Sequence, residues 1–150
     1  MEIKKIGLIG MGQMGKGIAE VCALSGYDLI VHDSNSETLT SSKVKISSDL
    51  EKLEKKNKIE AGKIDLVLDR INLAQNFSEF SSCDLIIEAA TEKEQIKKQI
   101  FLDLKQVLKK NAILATNTSS ISVTRLASST DKPENFMGLH FMNPVPLMNL

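Results

Sequence analysis

The sequence predicts an α/β domain: a doubly wound, mainly parallel sheet with helices on both faces and a projecting helical arm. Three observations predict it. A glycine loop, Gly10-Met11-Gly12-Gln13-Met14-Gly15, lies between a short apolar run and a helical pattern. Strand, helix and strand then fit within about 30 residues, the size of one βαβ unit. Apolar runs and helical patterns alternate along the rest of the chain, the rhythm of a parallel sheet.

The elements follow in order. Ile6 to Ile9 is a short apolar run that stops at glycine and reads as a buried parallel strand. Gln13 to Ser25 reads as a helix, with Met14, Ile18, Val21 and Cys22 at helical spacing and Gly26 as its stop. Asp28 to His32 is the second strand. Residues 34 to 63 turn polar and then strongly charged, and they predict a long, mostly exposed helix broken near Gly62. Leu66 to Arg70 suits a short helix. Leu85-Ile86-Ile87 restores the buried-strand pattern within Asp84 to Ala90. Glu92 to Lys110 reads as an amphipathic helix whose buried stripe is Ile96, Ile100, Leu104 and Leu108. Ala112 to Ala115 is the next strand, Ser122 to Ser128 a short helix, and Phe136 to Phe141 a last strand before Asn143-Pro144-Val145-Pro146.

The totals bound the function. The 150 residues suit one domain, 1–150, with 42% hydrophobic and 25% charged residues. Nineteen basic and nineteen acidic side chains cancel, which removes the footprint of a general nucleic-acid binder. Any anion site is therefore local. Cys22 and Cys83 make neither a disulfide framework nor a metal pattern, so no metal is expected. No apolar stretch approaches a membrane span, and the first residues run straight into a strand. The expectation is a cytoplasmic protein that engages neither membrane nor nucleic acid.

A lone G-x-G-x-x-G says little, but here a strand precedes it, a helix follows, and an acid ends the next strand. Gly10 permits the tight turn, Gly12 lets a pyrophosphate approach the backbone, and Gly15 lets the helix pack closely. The pyrophosphate then rests on a helix N-terminus, where free N–H groups and the dipole favour an anion. Asp33 follows Gly15 by 18 residues, near the spacing at which a carboxylate accepts the adenosine ribose hydroxyls. It would repel a 2′-phosphate, and no arginine stands beside it. The chain thus reads as a Rossmann-type domain for NAD rather than NADP. The cofactor-binding candidates are Gly10, Met11, Gly12, Gln13, Met14, Gly15 and Asp33. The competing reading is a turn that binds nothing, with Asp33 capping the next helix. His32 reads as a wall of the adenine pocket.

Thr116-Asn117-Thr118-Ser119-Ser120 follows a strand directly, where open parallel sheets place their ligands. These groups meet the nicotinamide or the substrate, or else Ser119 or Ser120 merely caps a helix near Ile121. His140 ends an apolar strand. It is either structural or a base suited to taking a hydroxyl proton near neutral pH as hydride leaves carbon. Glu92 and Lys97 read as ordinary helix surface. The lysines at 52, 55, 56 and 58 form a solvated face or meet a phosphate-bearing substrate tail.

Together these segments resemble the 3-hydroxyacyl-CoA dehydrogenase family over the whole chain. The resemblance rests on the glycine loop, Glu88-Ala89 with Glu92, Asn117-Thr118-Ser119-Ser120 and, above all, Gly138-Leu139-His140-Phe141-Met142-Asn143-Pro144-Val145-Pro146. It implies reversible, NAD-dependent oxidation of (S)-3-hydroxyacyl-CoA to 3-oxoacyl-CoA. His140 would be the catalytic base and acid. Ser119 would meet the substrate oxygen and the nicotinamide region. Asn143 would touch the nicotinamide side, and Glu92 and Lys97 the nicotinamide ribose. The charged helix would be the arm that touches coenzyme A, with Lys56 as its contact.

The resemblance also implies a glutamate after the proline turn that orients the histidine. Beyond it would lie a helical C-terminal domain that completes the acyl pocket and forms the dimer. Leu150 precedes both. The expectation is a fragment that binds NAD but turns over acyl-CoA poorly or not at all. Two other readings remain open: a different β-hydroxyacid-type dehydrogenase, which also begins Gly-x-Gly-x-Met-Gly, and a non-catalytic NAD-binding module.

Overall fold

The computed structural model describes residues 2–150. Six parallel strands lie in the order β3-β2-β1-β4-β5-β6. They are β1 (Lys5–Ile9), β2 (Asp28–His32), β3 (Ile71–Leu73), β4 (Leu85–Glu88), β5 (Ile113–Thr116) and β6 (Phe136–Gly138). The helices are α1 (Gln13–Leu24), α2 (Ser36–Lys55), α3 (Ile64–Asp69), α4 (Glu94–Leu104) and α5 (Val123–Ala127). This order reverses between β1 and β4, so a crevice opens at the carboxyl ends of those strands.

Strand periodicity builds the two faces. Ile6 and Leu8 of β1, Leu29 and Val31 of β2, and Leu85 and Ile87 of β4 point to one side, onto Ile18, Leu39, Ile46 and Leu50 of the helices. Ile9, Ile86 and Leu114 point to the other, onto Phe80, Ile100, Phe101 and Leu104. Both cysteines are buried, and burial pushes their thiols up to about 11. No helix among the described residues is long and apolar enough to cross a membrane.

Several boundaries differ from the sequence reading, each for a local reason. The long helix is present, but it stops at Lys55 rather than near Gly62. Asn57 takes a left-handed conformation (φ 54°), and the N–H of Lys58 returns to the carbonyl of Leu53, a helix-ending motif. Its polar sequence hides an inner face: Leu39, Ser42, Ile46 and Leu50 are buried. Helix α4 is shorter than Glu92 to Lys110, and its inner face is Lys97, Ile100, Phe101 and Leu104. Ile96 is 46% exposed, so it does not belong to the buried stripe. Strand β6 ends at Gly138 instead of Phe141, because the amide of Phe141 is taken by the side chain of Asn117 rather than by the ladder. Strand β3 has only three residues to carry a sequence signal, and the 3₁₀ turn Phe77–Ser82 has its capping box, Asn76 with Glu79.

Candidate functional site

The glycine loop turns the chain at the carboxyl end of β1. Gly10 has φ 96°, and a side chain there would run into the backbone of Ala89 and Ala90. A Cβ on Gly15 would overlap the carbonyl of Gly10, so only glycine brings α1 this close. Gly12 differs: nothing lies within 4 Å of a Cβ built there, which leaves its backbone open to a ligand. Helix α1 has neither a side-chain cap nor an acid in its first turn, so its leading N–H groups remain for an anion. Gln13 and Met14 line the cleft above. Met11 differs from its neighbours: its side chain is buried in the core.

Asp33 closes the loop from the next strand. Its Oδ2 accepts the N–H of Met11 at 2.8 Å and its Oδ1 the N–H of Asn35 at 2.8 Å. Each oxygen keeps acceptor capacity for a further donor. Asn35, not Asp33, caps α2, accepting from the N–H groups of Glu37 and Thr38. Beside Asp33, His32 bonds the carbonyl of Ala74 through Nδ1 and meets Phe77 edge-on at 5.0 Å. These residues, with Ile96 and Ile100, wall a half-open cavity of about 250 Å³. The exposure of Ile96 is thus the exposure of a cavity wall. An apolar slot beside a carboxylate with acceptor capacity to spare suits an adenosine.

The second half of the crevice, about 280 Å³, lies between Gly12-Gln13-Met14, the turn Ala89 to Glu92, and Asn117. Lys97 also borders it, yet it is not helix surface. It is 1% exposed and its Nζ lies 2.5 Å from Oε2 of Glu88, itself fully buried. Glu88 also accepts the hydroxyl of Thr116 (3.0 Å) and the N–H of Ala90 (2.8 Å). One carboxylate thereby ties together β4, β5, α4 and the turn above them. Glu92 is exposed at the mouth and accepts the hydroxyls of Thr118 (2.7 Å) and Ser120 (3.2 Å).

The serine loop does not cap the helix that follows it. Ser122 caps α5, and Thr118 Oγ1 accepts the N–H groups of Ser120 and Ile121. Neither Ser119 nor Ser120 caps a helix. Ser119 is exposed, and its hydroxyl makes no hydrogen bond among the described residues. His140 is also exposed, on the segment next door. Leu139 donates to the carbonyl of Thr116 at 2.9 Å and Phe141 to Oδ1 of Asn117 at 2.8 Å, so the histidine is held from both sides. Gln13 Nε2 reaches Asn143 Oδ1 at 3.4 Å and links this segment to the glycine loop. Among the described residues, no group of three His, Cys, Asp or Glu is arranged to hold a metal.

Asn143 faces a further groove, about 320 Å³, between α1, the end of α2 and the proline turn. Lys16, Lys52 and Lys56 line it. Asp49 ties Lys16 (2.6 Å) and Lys52 (3.0 Å), and the bond from Lys16 holds its carboxyl below the ordinary range. Lys56 carries no such tie. Glu20 lies in the same wall, 2% exposed. Burial, then the charge of Asp49, raises its carboxyl pKa, against Lys16 and Lys52. Sequence reading missed Glu20; its one signal was an acid on the otherwise apolar inner face of α1. A raised carboxyl binds its proton more tightly in the folded than in the unfolded state. Its contribution to stability is therefore lost as pH rises from the ordinary glutamate range through the folded value. Glu20→Gln is expected to raise the urea midpoint near pH 8 and to leave it almost unchanged near pH 3, where the glutamate is mostly protonated in both the folded and the unfolded chain. A lower midpoint near pH 8 would mean that the lysines outweigh the burial.

Comparison with known proteins identifies the family. Residues 5–150 match the family model of the 3-hydroxyacyl-CoA dehydrogenase NAD binding domain. A 3-hydroxybutyryl-CoA dehydrogenase of Bradyrhizobium diazoefficiens is 49% identical over 99% of this chain and 50% of its own length. The Escherichia coli 3-hydroxyadipyl-CoA dehydrogenase is 37% identical over 100% of this chain and 32% of its own. The crystal structure of (S)-3-hydroxybutyryl-CoA dehydrogenase from Ralstonia eutropha superposes with a TM-score of 0.95 at 36% identity, over 99% of this chain and 53% of that one. The chain thus spans about half the length of the 3-hydroxybutyryl-CoA dehydrogenases it matches. With its glycine loop, its acid just after β2 and its strand order, it belongs to the 3-hydroxyacyl-CoA dehydrogenase family, as that family's NAD-binding domain.

Proposed function

We propose that residues 1–150 form one domain that binds NAD across the crevice and contributes the proton-transfer edge of an (S)-3-hydroxyacyl-CoA dehydrogenase. The adenosine lies in the slot of His32, Phe77 and Ile96, with its ribose hydroxyls on Asp33. The pyrophosphate crosses Gly10, Met11 and Gly12 onto the start of α1, past Gln13, Met14 and Gly15. The nicotinamide half lies between Glu92, Lys97, Ser119 and Asn143. Bound there, the nicotinamide supplies the hydride acceptor. His140 takes the substrate hydroxyl proton in the oxidation and returns it in the reduction. Ser119, whose hydroxyl has no other bond, donates to the substrate oxygen. Lys56 meets the phosphates of an acyl-CoA in the basic groove.

The observation that carries this reading is the pair of bonds around His140, from Leu139 to Thr116 and from Phe141 to Asn117. They set the one exposed imidazole beside the loop that bears Ser119. The test measures NADH binding and acetoacetyl-CoA reduction by this chain alone and joined to the remaining half of a relative. Binding in both, with turnover chiefly in the joined form, is expected. Binding without turnover in either would favour a non-catalytic NAD module, and no binding would end the reading. Asp33→Ala is expected to weaken NAD⁺ about 10- to 100-fold, the worth of one or two charge-assisted hydrogen bonds. Calorimetry on the 150-residue chain measures it, and an unchanged affinity would remove Asp33 from the site.

A further inference from the structure

We infer that Asn117 couples the cofactor to the catalytic segment through its two amide faces, a role that rests on the nicotinamide half lying in this crevice. The orientation of the amide is forced. The group facing Phe141 is a backbone N–H, which can only donate, so the side-chain atom 2.8 Å from it is the oxygen. The backbone of Asn117 is itself pinned, its N–H donating to the carbonyl of Glu88 at 2.9 Å. That carbonyl belongs to the residue whose side chain holds Lys97 and Thr116. The oxygen is therefore a fixed point from which the Phe141 backbone, and the neighbouring His140, hang.

The nitrogen faces the other way. Asn117 is 9% exposed and borders the crevice opposite Gly12 and Met14. Its Nδ2 meets no acceptor among the described residues, and no buried side-chain nitrogen or oxygen there lacks a partner. The two N–H donors must therefore open on the crevice. Their chemistry suits a ribose hydroxyl or a carboxamide oxygen of the nicotinamide half. A ligand accepting from Nδ2 polarises the amide and strengthens its oxygen as the acceptor for Phe141. Cofactor binding then tightens the segment that presents His140, although neither His140 nor Phe141 need touch the dinucleotide. Asn117 thus acts on the histidine as a positioning residue.

Amide NMR of the full 150-residue chain tests both faces. Addition of NAD⁺ is expected to shift the side-chain NH₂ pair of Asn117 and to slow exchange of the Phe141 amide. Asn117→Leu is expected to speed that exchange about tenfold or more without NAD⁺ and to abolish the response to it. Asn117→Asp keeps the oxygen and loses the donors, so Phe141 stays protected while its response to NAD⁺ disappears. This variant decides the matter should the leucine form fail to fold. Equal protection of Phe141 in the leucine variant, or an Asn117 NH₂ pair indifferent to bound NAD⁺, would overturn the inference. Shifts at Gly12 to Met14 without Asn117 would sink this inference alone. Shifts confined to Phe77 and Ile96 would instead sink the placement of the nicotinamide half.

Discussion

Lys97→Met is expected to destabilise the domain by about 3–5 kcal/mol, the cost of leaving one member of a buried ion pair alone. Glu88 is fully buried and Lys97 is 1% exposed, so the carboxylate left behind loses its counter-charge in a poorly solvated position. The remaining partners of the carboxylate, Thr116 and Ala90, are neutral donors and do not offset its charge. Domains of this size hold about 5–15 kcal/mol in all, so this single change removes a large share. Adding Glu88→Gln in the same chain is expected to recover much of the loss. The neutral amide still accepts from Thr116 and no longer strands a charge. Urea unfolding of the single and double variants measures both terms. A double variant no more stable than Lys97→Met would show that shape, not charge, dominates at this junction.

His140→Ala, in the chain joined to a relative's remaining half, is expected to lower kcat for acetoacetyl-CoA reduction about 10²- to 10⁴-fold, the usual worth of a general acid or base. Dinucleotide affinity should hold, because the adenosine slot and the glycine loop lie on other strands. The stability cost should be small, because the ring is exposed and its neighbours are fixed through their backbone. Steady-state kinetics with NADH titration separates the two: a fall in kcat at constant NADH dissociation constant supports the proton-transfer role. A rate within threefold of the parent would assign the proton to another group (threefold being about 0.65 kcal/mol on the barrier).

The legible parts of this protein are those whose physics is local. Five of the six strands carry their own apolar runs. The glycine loop announces itself because its spacing and flanking elements are local, although only Gly15 answers a nearby contact, the carbonyl of Gly10, while Gly10 is crowded by Ala89 and Ala90 and Gly12 stays bare. Asp33 is legible by spacing, and the segment around His140 by resemblance. Strand β3 was not legible, being three residues at an edge. Nor was the inner face of α2, where Leu39, Ile46 and Leu50 stand among charges that dominate the composition.

What the sequence by itself determined is the strand–loop–helix of an NAD-binding domain, the acid that follows its second strand, and the residue types that line the carboxyl ends of the sheet. What only the tertiary structure decided is who partners whom across the sheet. Lys97 reads as helix surface in sequence, whereas the fold seats it on Glu88, nine residues earlier. Asn117 and Phe141 lie 24 residues apart, yet the parallel pairing of β5 with β6 brings them within 2.8 Å. Ser119 was freed from a capping role by Thr118 and Ser122. The reason is the same in each case. A hydrogen bond or ion pair between strands depends on register and on the direction of each side chain, and both are set by packing the whole sheet.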